Sequence, residues 1–245
     1  LGNNHIRDAG DDGVIQTRAT CKAAGIVCVG AGKDLQKARK PGVFAVGDRL
    51  ISALAYTNDC TATPTSAGSA PMHDQTVLAD VRRLRREVDH VIVSMHFGIE
   101  YAELPTRSFR NLCRAICDAG ADLVLGHHPH VYQGHEKAGR GMIVYCLGNC
   151  LADTIDKETK RLAFERTELV LKGVRDLQAD DPRLEDVVVA TATLGDGPTE
   201  LEVALFRMRE TFTIENATAE EQARFDATLA DQEQALANDD PRLDE

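Results

Sequence analysis

Gly126-His127-His128-Pro129-His130 places three of the chain's eight histidines within four residues. The cluster comes directly after the apolar run Asp122-Leu123-Val124-Leu125. A helix-like segment closing at Ala119-Gly120 precedes that run, so it reads as a buried strand entered from a helix. The histidines then sit just past the carboxyl end of a parallel strand, where open α/β sheets place their ligands. Extended residues two apart point to the same side, so His128 and His130 can share one target while His127 faces another way. Pro129 fixes its own φ and pushes His128 out of the helical region, which holds the pair stiffly. Imidazoles converging at a strand end suit a first-row transition metal. The competing reading is a polar loop whose histidines fall together by chance.

Working outward, the strand His90 to Met95 delivers His96 at its carboxyl end. A helix over Thr106 to Ala119 follows, with Phe109, Leu112, Cys113, Ile116 and Cys117 on one face. Strand, helix, strand with a histidine at each strand end is a βαβ unit that aims both at one sheet edge. Before it, Val77, Val81, Leu84 and Val88 mark an amphipathic helix, whose Arg82-Arg83 and Arg85-Arg86 read as a solvated face. Farther upstream, Asp11-Asp12 can cap a helix running to Ala24-Gly25, followed by a short strand Ile26 to Val29 and a short helix Lys33 to Arg39. Val43 to Val46 and Leu50 to Tyr56 flank Gly47-Asp48 as a hairpin, and residues 58–72 read as a surface loop.

Downstream, Val131 to Glu136 and Met142 to Leu147 form another hairpin around Gly139-Arg140-Gly141. Strands are expected at Arg166 to Leu171, Val187 to Leu194 and Thr199 to Met208. A final helix begins at about Thr218, where Thr218-x-x-Glu221 is a capping box. Phe225, Leu229 and Leu236 give that helix a thin apolar stripe. Asp-Asp-Pro-Arg-Leu occurs at 180–184 and again at 239–243, too short a match to make a repeat architecture.

Composition sets bounds. A chain of 245 residues with 43% hydrophobic content can bury a substantial core as one domain with an appendage. No apolar run reaches membrane-spanning length and no signal peptide is visible. Residues 1–150 carry 17 basic and 15 acidic side chains, a net of +2, whereas residues 151–245 carry 11 and 24, a net of −13. Such a balance argues against a nucleic-acid partner, because phosphate contacts need clustered Lys and Arg. The seven cysteines form no CxxC pair, and Cys113 and Cys117 read as buried small hydrophobes. That usage mildly favours a reducing, cytoplasmic compartment.

Three motifs carry chemistry. In Asn3-Asn4-His5-x-x-Asp8-x-Gly10, an Asn side-chain oxygen is a neutral metal ligand, and the neighbouring His can donate to a phosphate oxygen or protonate a leaving group. Against this stands a plain polar helix-cap region. In His96-Phe97-Gly98-Ile99-Glu100-Tyr101, Gly98 permits an abrupt turn and His96 can ligate, although a lone strand-end His is more often structural. The third motif is the histidine cluster.

Taken in this order, the motifs resemble one family. Added to Gly30-Ala31-Gly32, Gly120-Ala121-Asp122-Leu123-Val124 and Tyr145-Cys146-Leu147-Gly148-Asn149, they are similar to the CapA or poly-γ-glutamate capsule-biosynthesis proteins, a branch of the calcineurin-like metallophosphoesterase superfamily. The resemblance covers roughly residues 1–153. It implies an α/β fold, a metallophosphoesterase-like β-sandwich flanked by helices (α/β/β/α), with a two-metal site of Mn, Fe or Zn at the strand ends. On this resemblance Asn4, His96, His128 and His130 are metal ligands and His5 is the catalytic histidine. Asp8, Glu100 and His127 are supporting residues behind the ligands. The family's early acidic segments, which supply the remaining carboxylates, are not in this chain. Since it opens on Leu1, it is expected to be a piece of a longer protein. Asp8, Asp48, Glu100 and Asp153 are possible substitutes, though each also reads as a cap, turn or supporting residue. Residues 1–212 are read as the metallophosphoesterase-like domain and 213–245 as an acidic helical tail. The resemblance allows a membrane-associated or extracellular location. Two functions follow: a metal-dependent hydrolase in capsule or cell-envelope polymer metabolism, or a non-catalytic accessory protein of the same fold that binds or helps export an anionic polymer. The expected partner in either case is a phosphorylated or anionic polymer.

Overall fold

Alternation of buried side chains builds the central sheet. A computed structural model describes residues 1–150, 181–209 and 213–244; the strand expected at 166–171 and Asp153 lie outside them. In the strand His90–His96 (β5), Val91, Val93 and Met95 are fully buried on one face. They meet the helices Asp74–Leu84 (α3) and Arg107–Asp118 (α4) through Val77, Val81, Phe109 and Ile116. Thr106 caps α4, its hydroxyl accepting from the Phe109 N–H. Cys113 and Cys117 lie buried on the face of α4 that meets the sheet, as the helical spacing predicts.

Strand Arg49–Thr57 (β3), β5, strand Leu123–His127 (β6) and strand Gly141–Val144 (β8) run parallel side by side. Each edge is closed by an antiparallel hairpin partner, Gly42–Val46 (β2) beside β3 and His135–Ala138 (β7) beside β8. Both expected hairpins are therefore present. A parallel sheet must be covered on both faces. Neighbouring residues show how this one is covered: Val124 and Ile143 join the helix-side core, whereas Leu125 and Val144 turn to the other side. There they meet Val188 and Leu205 of the strands Asp186–Thr193 (β9) and Glu200–Met208 (β10). These two pair antiparallel, with a short third strand Ile214–Asn216 (β11) beside β10. The fold is thus a mixed α/β architecture in which a central sheet has helices on one face and a second sheet on the other.

The last helix, Ala219–Asn238 (α5), starts at the expected capping box: the Thr218 hydroxyl accepts from the Glu221 N–H and the Glu221 carboxylate accepts from the Thr218 N–H. Its apolar stripe is divided between layers. Phe225 and Leu229 pack with Tyr132 and Val144, while Ala235 and Leu236 enter the helix-side core. Among the described residues no helix is long and apolar enough to cross a membrane.

Several local expectations are corrected. Residues 26–29 do not form a strand: Ile26 and Val27 are more than half exposed, and the segment crosses Gly42, where a Cβ would come within 2.7 Å of Val27 Cγ1. Apolar content alone suggested a strand there, but β2 already closes that edge of the sheet. The first helix, Gly10–Ala23 (α1), has no side-chain cap at Ala9; Asp11 instead accepts from the Ala67 N–H and from Arg7. Residues 58–72 include a two-residue strand, Gly68–Ser69 (β4), paired with Ala31–Gly32 (β1). The helix expected over Lys33 to Arg39 is confined to Leu35–Ala38 (α2), with Asp34 as its cap. Arg85 is not simply solvated: with Arg140 and the Val91 N–H it contacts the buried Asp122 carboxylate.

The repeated pentapeptide now has a physical account. At Pro182–Glu185 and Pro241–Leu243 the chain forms a 3-10 turn with Pro at its start. In each, the preceding Asp (Asp181, Asp240) accepts from the N–H of the Arg two residues on, and the Leu is buried.

Gly126 is the tightest point of the central sheet, since a Cβ there would lie 1.8 Å from the Tyr145 carbonyl oxygen. Gly126→Ala should therefore lower unfolding free energy by at least about 1–3 kcal/mol in a denaturant titration. Gly195→Ala, whose added carbon meets nothing within 4 Å, should leave stability nearly unchanged. Equal stability of the two variants would contradict this packing.

Candidate functional site

Register brings the histidines together. His96, at the end of β5, pairs opposite His127 at the end of β6, and Thr57, at the end of β3, pairs opposite His96. Three parallel strands therefore finish level, and the loops after them share one edge. The rings of His96 and His128 are 4.9 Å apart between centroids and those of His128 and His130 are 6.2 Å apart. His96 is on the same edge as His130, as the βαβ reading requires.

The route by which His128 and His130 arrive differs from expectation. They are not extended residues on one face: φ is 105° at His128 and 66° at His130. Pro129 does keep His128 out of the helical region, but the chain turns sharply because it is tied to the loop after β5. The Phe97 N–H donates to the His127 carbonyl at 3.0 Å and the Tyr101 N–H to the Pro129 carbonyl at 2.8 Å. Gly98, at φ 134°, lets that loop press on Pro129; a Cβ there would come within 2.8 Å of the proline ring. Tyr101, itself at φ 65°, stacks on His130 with centroids 5.7 Å apart. Positive φ at a non-glycine residue costs on the order of 1–3 kcal/mol, so strain is gathered where the loops meet.

The amino-terminal motif reaches the same edge. The Asn4 carbonyl accepts from the Cys60 thiol, which ties it to the loop after β3, and Asn4 Oδ1 lies 3.0 Å from His96 Nε2. His5 points outward, its Nδ1 2.9 Å from the Asp8 carboxylate, with both side chains mostly exposed. Burial, followed by the neighbouring histidines, lowers the His96 pKa to about 3. Burial also lowers His128, against the opposing pull of Glu100 and Asp59, and it lowers His127. These imidazoles are consequently neutral at physiological pH, each with one nitrogen bare; at His96 the acceptor-only Asn4 Oδ1 takes the Nε2–H in the metal-free chain, a proton that a bound cation would displace.

Do these residues fit a metal? Two donors on adjacent positions of an ion, each bonded at about 2.0–2.1 Å, stand about 3 Å apart at a right angle. The Asn4–His96 separation matches that spacing. His128 Nδ1 is buried and has no hydrogen-bond partner among the described residues, as a nitrogen reserved for a ligand would be. The donors therefore suit a cation in kind. They do not complete a site: among the described residues no group of three or more His, Cys, Asp or Glu side chains is gathered to hold an ion. Asp48 sits in the β2–β3 turn, highly exposed, against Arg49 and away from this edge.

Two residues escaped the sequence reading. Asp59, two positions past the end of β3, brings a carboxylate whose charge reaches His128. Its signal was a polar Asn58-Asp59 following an apolar strand, but only the sheet order shows that β3 adjoins β5. Asn149 Oδ1 lies 2.9 Å from His130 Nδ1; it belonged to a recognised motif without having a role in it.

The family model described as "Bacterial capsule synthesis protein PGA_cap" matches residues 1–154. The chain is 32% identical over 177 residues to the capsule biosynthesis protein CapA of Bacillus anthracis, covering 69% of this chain and 43% of that protein. It is 33% identical to the PGA biosynthesis protein CapA of Bacillus subtilis, covering 70% and 46%. It is 31% identical to a probable polyglutamine synthesis accessory protein of Mycobacterium tuberculosis, covering 62% and 44%. The chain thus spans less than half the length of each of these relatives.

The depressed histidines give stability a defined pH dependence. Unfolded histidines take up protons near 6.5, whereas folded His96 does so only near 3. The unfolded state therefore binds more protons below about 6.5, and stability is full above that pH and lost as pH falls. The Tm of the metal-free chain should drop between pH 7 and pH 5, and more shallowly in His96→Asn. A flat profile would contradict the burial of these rings.

Proposed function

This chain belongs to the bacterial capsule synthesis protein PGA_cap family, and from that premise we propose that it forms part of a metal-dependent, phosphoesterase-type hydrolase. Its place would be in capsule or cell-envelope polymer biosynthesis. The observation that carries the reading is the row of donors on one sheet edge: His96, His128 and His130, with Asn4 against His96. Nitrogen and amide-oxygen donors of this kind suit Mn, Fe or Zn. A divalent ion bound there, or a pair of them, would polarise a phosphoryl oxygen and lower the pKa of water. The chain's own residues divide the remaining work. Asp8 accepts from His5 Nδ1, which fixes the ring and leaves Nε2 facing outward toward a phosphate or leaving oxygen. Asp59 and Glu100 bring negative charge beside His128, which favours a cation at that edge. The substrate would be a phosphorylated or anionic polymer, such as poly-γ-glutamate or a polysaccharide.

A second reading takes its support from the name of one relative, an accessory protein. In it, the chain is part of an accessory protein that binds the polymer without cleaving it.

Metal analysis of the full-length protein, with a phosphodiester and polymer substrate screen, separates the two. The hydrolase reading expects bound divalent metal and turnover. His128→Ala or His130→Ala should then remove both, whereas His5→Ala should cut turnover by about 10²–10⁴ and leave the metal in place. A metal-free, inactive full-length protein that still binds polyglutamate would overturn it in favour of the accessory reading.

A further inference from the structure

We infer that Asn149 is a positioning residue that sets the tautomer of His130 and so aims its Nε2 lone pair into the shared edge. The direction of the link follows from what each partner can do. The Leu184 carbonyl can only accept, and it lies 3.4 Å from Asn149 Nδ2. The amide nitrogen of Asn149 is thereby turned toward Leu184, so Oδ1 is the atom 2.9 Å from His130 Nδ1. An amide oxygen also only accepts, so the proton of neutral His130 must be on Nδ1, which leaves Nε2 bare.

The rest of the His130 environment holds the ring without choosing its tautomer. Tyr101 stacks on its face. The Gly148 N–H, next to Asn149, donates to the buried Cys146 sulfur. The carbonyl at the end of the chain of bonds is no loose acceptor either. It belongs to the first of the two Asp-Pro-Arg-Leu turns, with Asp181 capping the turn and Leu184 buried against Val131. A turn just before β9 of the second sheet thus sets which nitrogen of a strand-end histidine carries the proton.

That the bare nitrogen serves a metal rests on the function proposed above; the tautomer does not. The test is a long-range 1H–15N spectrum of the metal-free chain at neutral pH. His130 should show a protonated Nδ1 and a bare Nε2. Asn149→Ala removes the acceptor and should shift His130 toward the Nε2–H form that free imidazole side chains favour. Asn149→Asp restores an acceptor and should restore the Nδ1–H form. With Co²⁺ alone as the probe, the full-length Asn149→Ala protein should bind about 10- to 100-fold more weakly than the full-length parent, and Asn149→Asp should recover most of that loss. An Nε2–H His130 in the parent chain overturns the inference even if no variant folds. So does an unchanged tautomer in Asn149→Ala. A full-length protein that shows the Nδ1–H form but does not bind Co²⁺ upholds the positioning role and removes the metal reading instead.

Discussion

The parallel ladder between β5 and β6 is the constraint on which the site depends. Val93 pairs with Val124 and Met95 with Gly126. Val91, Val93 and Met95 fill the layer beneath α3 and α4. A one-residue slip of β5 would carry these side chains to the opposite face. Core packing therefore specifies the register that sets His96 level with His127, and no interaction between the histidines is needed for it. Gly126 adds a second restraint, since only a residue without a side chain lets Tyr145 approach the end of β6. The chemistry-bearing loops inherit their alignment from hydrophobic contacts one turn of chain behind them.

The two ends of β6 divide the work of the sheet. At its entrance, Asp122 is almost wholly buried and fully engaged, with the Val91 N–H at 2.9 Å and the Arg85 and Arg140 guanidiniums each at 3.2 Å. A buried carboxylate so surrounded is satisfied and inert. At its exit the balance is opposite. His96, His127 and His128 are buried enough to be neutral, His128 Nδ1 has no partner among the described residues, and three non-glycine residues there hold positive φ. An unpartnered His128 nitrogen and stored strain lie together at this end, which is where a ligand would relieve them.

What the sequence revealed, and what it hid, follows from the range of each interaction. The capping box at Thr218, the hairpin around Gly47 and the apolar face of α4 are local patterns, and each forms where its residues predict. The destination of His96, His128 and His130 was legible because strand-end histidines in a βαβ unit must share an edge. Their backbone was not, because the turn at His128 is imposed by hydrogen bonds to Phe97 and Tyr101 from a different loop. Asp59 and Asn149 were missed for the same reason: sheet order brings one to the edge, and the other acts through a carbonyl 35 residues away. Ile26 and Val27 misled in the opposite sense, since an apolar run reads as a strand only if the sheet has an open place for it.

The Asp-Pro-Arg-Leu turns show how purely local chemistry can serve distant ends. In both copies proline presets the turn, the preceding aspartate caps it, and the following leucine is driven inward. Nothing in the pentapeptide says where that leucine goes. Leu184 settles against Val131, just past the histidine cluster, while Leu243 enters the core beneath the central sheet. The arginines diverge as well: Arg183 reaches Glu103 in the loop before α4, and Arg242 reaches Asp231 on α5. The turn is a small, self-capped unit that delivers one buried leucine and one arginine. Where the surrounding sheet order sets it beside Asn149, its carbonyl becomes part of the strand-end site. Where it follows α5, it holds the helix to the core.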